Sequence, residues 1–233
     1  MAKPLRIFST LAVQGAMPAL AAGYDRLTGT HLAVEFAPTG GLMARIDAGE
    51  RADVAILTRE GADQLAGCGV LLSDSVVNVA RSYVGIAVQA GAPRPDIGSP
   101  EALKAALLAA RSIAYSRIGA SGILFARLIE QLGIAPEINA KAIIIPSGFT
   151  AELAARGEVE LAVQQVSELM VVAGVDVVGP LPAPLQNPAM FSAGVFADSA
   201  APEGAAGFVQ FLTSAAAAQA LQAAGLEPVP TQD

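Results

Sequence analysis

Hydrophobic positions along this chain come in two spacings that take turns from one end to the other. Short solid apolar runs alternate with stretches in which apolar residues recur every three or four positions. Solid runs mark strands buried on both faces, and the wider spacing marks helices with one buried stripe. The run "LRIFS" (5–9) predicts a buried strand, and residues 11–27 carry helical spacing until Thr28-Gly29 stops it. A second strand follows at "HLAVEFA" (31–37), then a loop over Pro38–Gly41, a helix over 42–48 ended by Gly49, and a third strand at "ADVAIL" (52–57). Such short strand–helix units imply a parallel sheet covered by helices.

The alternation continues downstream. Residues 77–91, "VNVARSYVGIAVQAG", read as one long strand, and "PEALKAALLAA" (100–110) as a helix with Ser99 as N-cap and Pro100 at its first turn. "SIAYS" (112–116) predicts a strand, followed by a Gly/Ser-rich loop and a helix over 123–132 that Gly133 ends. "AKAIII" (140–145) is a strand, Pro146-Ser147-Gly148 a turn, and Phe149–Arg156 a helix. Further strands fall at 159–165, 175–181 and "FSAGVFA" (191–197), with the proline-rich "PLPAPLQNP" as a connector. One or two Ala-rich helices close the chain, and no internal repeat is evident.

Composition narrows the class. The chain has 233 residues, 53% hydrophobic and only 15% charged, which supports a large core in one domain or in two lobes of ordinary size and excludes disorder. The formal net charge is −7 and the basic residues are scattered, so no nucleic-acid footprint is present. No apolar run approaches the length of a membrane span, so no membrane insertion is expected. The single Cys68 forms no internal disulfide and, with the single His31, builds no nitrogen/sulfur metal site; no metal and no cofactor are expected. The chain enters its first strand at once, without a secretory h-region, which reads as cytoplasmic, or as periplasmic if a leader has been removed.

Candidate chemistry lies where strands end and helices begin. Ser9-Thr10, "PTGG" (38–41), Thr58, "SRIGASG" (116–122) and "PSGF" (146–149) all fall at such junctions. In open α/β sheets ligands bind outside the carboxyl ends of the strands, where the first helical N–H groups lack partners. Hydroxyls with free N–H groups grip an anion without a formal cation, and the glycines let the backbone approach. Singly, each Ser or Thr is first of all an N-cap; five successive junctions of this kind make a ligand site. Arg81 and Arg117 are either carboxylate clamps or ion-paired surface groups, and Gln164 and Gln165 either read ligand oxygens or close the edge of a strand. Tyr115 and Glu168 are the groups placed to support proton transfer. No Gly-Lys-Ser/Thr phosphate loop and no Gly-x-Ser-x-Gly elbow is present.

The segment "TGTHLAVEFAPTGGLMARIDAGERADVAIL" and the ending "GFVQFLTSAAAAQALQAAGLEPV" resemble the periplasmic-binding-protein type II superfamily, closest to the molybdate-binding solute-binding proteins of ABC transporters. The resemblance spans essentially the whole chain. It implies an α/β, two-lobed fold in which each lobe is a mostly parallel sheet flanked by helices. Lobe one would comprise 1–80 plus 187–233 and lobe two 81–186, with the ligand cleft between them. By position, Thr39 falls on a ligating serine of the family's second loop, Ser121 on the residue before the second lobe's glycine, and Ser147 near the loop of the next helix. The family's first-loop serine aligns with Ala12 and its late tyrosine with Gln165. The ligand-binding set implied by junctions and resemblance together is Ser9, Thr10, Thr39, Gly40, Arg117, Ser121, Ser147 and Gln165.

Two functions fit. One is a solute-binding protein that closes on a small anionic ligand, an oxyanion or a carboxylate, with an ABC permease as partner if the chain is exported. The other is an isomerase of a small polycarboxylate on the same fold, as in aconitate isomerases related to the molybdate-binding family; amides and an arginine in place of the usual contacts suit a larger, carboxylate-bearing anion. A regulatory sensing domain is disfavoured because no DNA-binding segment is attached.

Overall fold

The computed structural model describes residues 3–229 and divides into two compact units, one holding the chain through Arg81 and again from Ala189 onward, the other Ser82–Pro188. The first unit opens with β1 (Leu5–Ser9), a 3-10 turn at Leu11–Val13, α1 (Met17–Thr28), β2 (Leu32–Phe36), α2 (Thr39–Asp47), β3 (Val54–Thr58), α3 (Arg59–Gly67) and β4 (Val77–Ser82). The second contains β5 (Val84–Gln89), α4 (Pro100–Ala109), β6 (Ile113–Ser116), α5 (Ala120–Gln131), α6 (Ala135–Asn139), β7 (Ala142–Ile145), α7 (Thr150–Ala155), β8 (Leu161–Gln165), α8 (Val166–Leu169) and β9 (Val175–Pro180). The chain then returns to the first unit through β10 (Ala189–Val195), α9 (Pro202–Phe211), α10 (Ala215–Ala223) and β11 (Glu227–Pro228).

The predicted single strand over 77–91 is two. The run breaks at Tyr83, so that β4 joins the first sheet and β5 the second. An unbroken apolar run does not reveal such a change of sheet, because both halves are buried strands. The predicted helix over 11–27 is likewise a 3-10 turn followed by a helix from Met17. The short helices α6 and α8 were not legible in the apolar spacing.

The first sheet has the order β11-β4-β10-β3-β1-β2. Its β1, β2 and β3 are parallel, and β10 runs antiparallel to β3. The second has the order β7-β6-β8-β5-β9, with β6 parallel to β7 and β8 and β5 antiparallel to β8 and β9. Both sheets are therefore mixed, with a parallel part that aligns three strand ends on one side. Each buries both faces. In β1 and β3, Leu5, Ile7, Val54 and Ile56 pack with Leu20 and Phe208 in one cluster, while Phe8, Ala55 and Leu57 pack with Leu42 and Leu65 in the other. In the second sheet, Ile113, Tyr115, Leu161 and Val163 face Phe125 and Ile129 of α5, and Ala114 and Ala162 face Ala151 and Leu153 of α7. The two-residue pleat thus decides which helix each strand-end side chain meets. Among the described residues no helix is long and apolar enough to cross a membrane.

Candidate functional site

In the first unit the carboxyl ends of β1, β2 and β3 lie side by side, and their polar groups largely hold one another. Ser9 is wholly buried and its hydroxyl donates to the Thr10 carbonyl (3.2 Å). The Thr10 N–H donates to Ile56 (2.9 Å) and its side chain does not cap the following 3-10 turn. Thr39 begins α2, and its hydroxyl accepts the Thr58 N–H (3.3 Å); the Thr58 hydroxyl in turn accepts the Gly61 N–H (3.4 Å) and caps α3. Gly40 follows Thr39 in the exposed first turn of α2, a helix with no side-chain cap. Arg81, one of the two clamp candidates, lies 3.1 Å from Glu227 as a half-exposed ion pair. His31 is exposed beside Asp25, and Cys68 is exposed. Among the described residues no group of His, Cys, Asp and Glu is arranged to hold a metal ion.

The second unit aligns the carboxyl ends of β6, β7 and β8. β6 and β8 pair at Ile113↔Leu161 and Ala114↔Ala162, so the turn that carries Arg117 and the end of β8 that carries Gln165 close two neighbouring strands. Tyr115 and Val163 lie on the face that α5 covers, and the pleat of β8 sets Gln165 on the side of Val163. Helix α5 begins there with Gly119 at its N-cap and no side-chain cap on its first N–H groups, so its positive end is open. Ser121 is buried in that first turn. Its neighbour Gly122 presses on the end of β6: a Cβ there would sit 1.5 Å from the Ser116 carbonyl oxygen, so only glycine lets the helix start this close to the strand. Ser147, in the turn after β7, is exposed.

The two adjacent glutamines have opposite surroundings. Gln164 points to the α7 face, where its Oε1 accepts the Thr150 N–H (2.8 Å) and hydroxyl (3.0 Å), and its Nε2 donates to the Gly148 carbonyl (3.0 Å). It is a structural brace for the turn that carries Ser147. Gln165 is only 2% exposed and its side chain faces the Glu168 backbone N–H in a capping box that opens α8, yet among the described residues neither its Oε1 nor its Nε2 completes a hydrogen bond. A buried primary amide with both ends unmet costs about 1–3 kcal/mol per group, which marks a place where something else supplies the partners. Just beyond, the Glu168 carboxylate accepts the Gln165 backbone N–H (3.3 Å). Burial pushes the Glu168 carboxyl up to about 7, against the opposing hydrogen bonds from the Gln165 backbone and the Gln164 side chain. A carboxyl so placed exchanges its proton near neutral pH.

Arg117 completes the group. Its Nη2 reaches the Tyr115 hydroxyl (3.4 Å) and Asn139 Oδ1 (3.3 Å). Asn139, at the end of α6, escaped the sequence reading because nothing in the pattern of that short helix links it to a strand two elements earlier. Arg117, Ser121 and Gln165 thus all lie where the strands of the second unit end and α5 begins.

Residues 5–227 match the family of bacterial extracellular solute-binding proteins, and the chain belongs to that family. An aconitate isomerase from Pseudomonas sp. is 35% identical over 234 residues, covering 98% of this chain and 89% of that one. The fold is that of the Azotobacter vinelandii periplasmic molybdate-binding protein, at a TM-score of 0.81 and 20% identity, covering 98% of this chain and 100% of that one. It is also that of a sulfate-binding protein from Mycobacterium tuberculosis, at 0.79 and 15% identity, covering 99% and 88%. The chain is therefore a solute-binding protein of two-unit α/β fold, as the resemblance read from its sequence implied.

Proposed function

We propose that the solute is a small polycarboxylate anion. The observation that carries this reading is the buried, unpartnered amide of Gln165, at the end of a strand next to the one that leads into Arg117 and the uncapped N-terminus of α5. Amide N–H groups, helical N–H groups and an arginine all donate to carboxylate oxygens. Ser121 and Ser147 add donors at the strand ends of the same unit. As an extracellular family member the protein acts in the periplasm, where an ABC permease is the partner for transport.

A thermal-shift panel of citrate, cis- and trans-aconitate, succinate, sulfate and molybdate tests the ligand class, because a ligand bound only by the folded chain raises its melting temperature. Polycarboxylates are expected to raise it. Stabilisation by sulfate or molybdate alone would overturn the reading.

A second activity on the same site is favoured by Glu168 together with the 35% identical aconitate isomerase. The reaction is an allylic proton shift. A base takes a proton from the methylene carbon of aconitate, the electron pair forms a new double bond, and the far carbon of the old double bond takes up a proton. One C–H bond breaks and one forms, so no oxidant or reductant enters. Glu168, ionised or protonated near neutrality, is the carboxyl suited to move that proton. Proton NMR of cis-aconitate in D₂O with the intact chain should show trans-aconitate with deuterium incorporated, and Glu168→Gln should remove it. Binding without conversion or exchange leaves a receptor only.

A further inference from the structure

Arg117 differs from the other arginines of its unit that have hydrogen-bond partners. Arg94 is paired with Asp176, Arg111 with Glu160 and Arg156 with Glu158, whereas the Arg117 guanidinium has neutral acceptors only, the Tyr115 hydroxyl and Asn139 Oδ1. Its Nε and Nη1 donors have no acceptor among the described residues. The two acceptors are themselves fixed. Tyr115 is fully buried, with its ring 5.1 Å from that of Phe125 on α5, and its hydroxyl donates to Asn139 Oδ1 at 2.6 Å. Asn139 is the last residue of α6, whose Ile138 is anchored in the same core cluster. A rigid neutral pair therefore holds an arginine in place without cancelling its charge.

A carboxylate at position 139 would orient the guanidinium as well and would neutralise it. An asparagine keeps the geometry and leaves the full positive charge for an outside partner. The neighbouring strand β8, paired with β6 at Ile113↔Leu161 and Ala114↔Ala162, ends on Gln165, whose amide is unmet among the described residues. An amide and an arginine at two neighbouring strand ends suit two carboxylate groups of one molecule better than one tetrahedral oxyanion, because the arginine's planar fork matches a carboxylate edge.

We infer that Arg117, positioned by Tyr115 and Asn139, receives a second carboxylate of the ligand and sets the preference for polycarboxylates over ligands with fewer acid groups. The inference rests on the polycarboxylate reading above and adds to it a specificity residue and two positioning residues.

Calorimetric titration of the full chain with citrate, trans-aconitate and succinate tests it. Arg117→Gln, at an exposed position, should weaken the two tricarboxylates by about 30-fold or more and succinate by clearly less, which collapses the selectivity ratio. Asn139→Asp should mimic that loss with Arg117 still present, since the new carboxylate occupies the guanidinium. The double variant Arg117→Gln/Asn139→Asp should then be no weaker than either single one, a non-additivity that a merely structural role would not produce. Tyr115→Phe, which removes one of the two anchors, should cost about 3–10-fold. If Arg117→Gln leaves the ratio of tricarboxylate to succinate affinity unchanged, or Asn139→Asp binds as the natural chain does, this inference fails while the polycarboxylate reading stands. If the natural chain binds none of the three, both fail.

Discussion

At the strand ends of the first unit, the hydroxyls of Ser9, Thr39 and Thr58 are all engaged inside the unit, with the Thr10 carbonyl, the Thr58 N–H and the Gly61 N–H. At those of the second unit, among the described residues, Gln165 is buried with neither amide atom met, and Arg117 carries a charge that no carboxylate cancels. Both rims have the same layout of parallel strands leading into helices, and both carry short polar side chains. What differs is whether the polar groups have been satisfied by their own unit. A satisfied group stabilises the fold and offers little to a ligand, whereas an unsatisfied one costs stability and is repaid only on binding. Under the polycarboxylate proposal, the unmet groups of the second unit carry the selective part of recognition.

The largest way to break this contrast is at the start of α5. Gly122→Ala would drive a Cβ into the Ser116 carbonyl, 1.5 Å away, and should cost about 3 kcal/mol or more in chemical denaturation. The matching change in the first unit, Gly61→Ala, meets only the Thr39 methyl at 3.1 Å and should cost clearly less. Equal effects would show that the two helix starts are not built differently.

Next comes the pH dependence of Glu168. Its folded value is raised from 4.5 to about 7, so between those values the folded chain holds a proton that the unfolded chain has lost. Stability is therefore full below about pH 4.5 and falls as pH rises toward 7. At about 1.36 kcal/mol per pH unit the loss is on the order of 3 kcal/mol. Urea denaturation at pH 5 and at pH 7.5 measures it, and Glu168→Gln should flatten that slope. A slope that survives the substitution belongs to another group.

The adjacent glutamines sharpen the comparison at single-residue scale. Gln164→Leu orphans the Thr150 N–H and the Gly148 carbonyl and should destabilise by about 2 kcal/mol. Gln165→Leu removes an amide that has no partner, and should stabilise the unliganded chain by about 1 kcal/mol while it loses polycarboxylate affinity. Opposite signs in denaturation, with lost binding for Gln165→Leu, are the expected pattern. Destabilisation by both would remove the distinction on which the site rests. The smallest effect is expected at Arg81→Ala, which breaks a half-exposed pair with Glu227; it should change stability by less than about 1 kcal/mol and leave binding unaltered.

Much of this arrangement was legible in the order of residues. Strong periodicities placed β1, β2, β3, β6, β8, α4 and the closing helices, because a buried strand and a one-sided helix each impose a spacing that composition alone cannot imitate. The polar junctions and Gln165 could be named as candidates for the same reason: they interrupt apolar runs where strands end. The break at Tyr83 could not be read, since β4 and β5 are both apolar strands and only their pairing assigns them to different sheets.

The chain order by itself determined the class of fold, the absence of a nitrogen/sulfur metal set and the short list of polar groups from which a site had to be drawn. Tertiary structure alone decided which of those groups are occupied and which are unmet. Gln164 and Gln165 are chemically identical neighbours, and the pleat of β8 sends one to the turn before α7 and the other toward α5. Arg81 finds Glu227 across 146 residues of chain and Arg117 finds Asn139 across 22, distances at which local spacing carries no information. Whether a polar atom has a partner is a property of pairs brought together by folding, and that property separates the brace from the unmet amide.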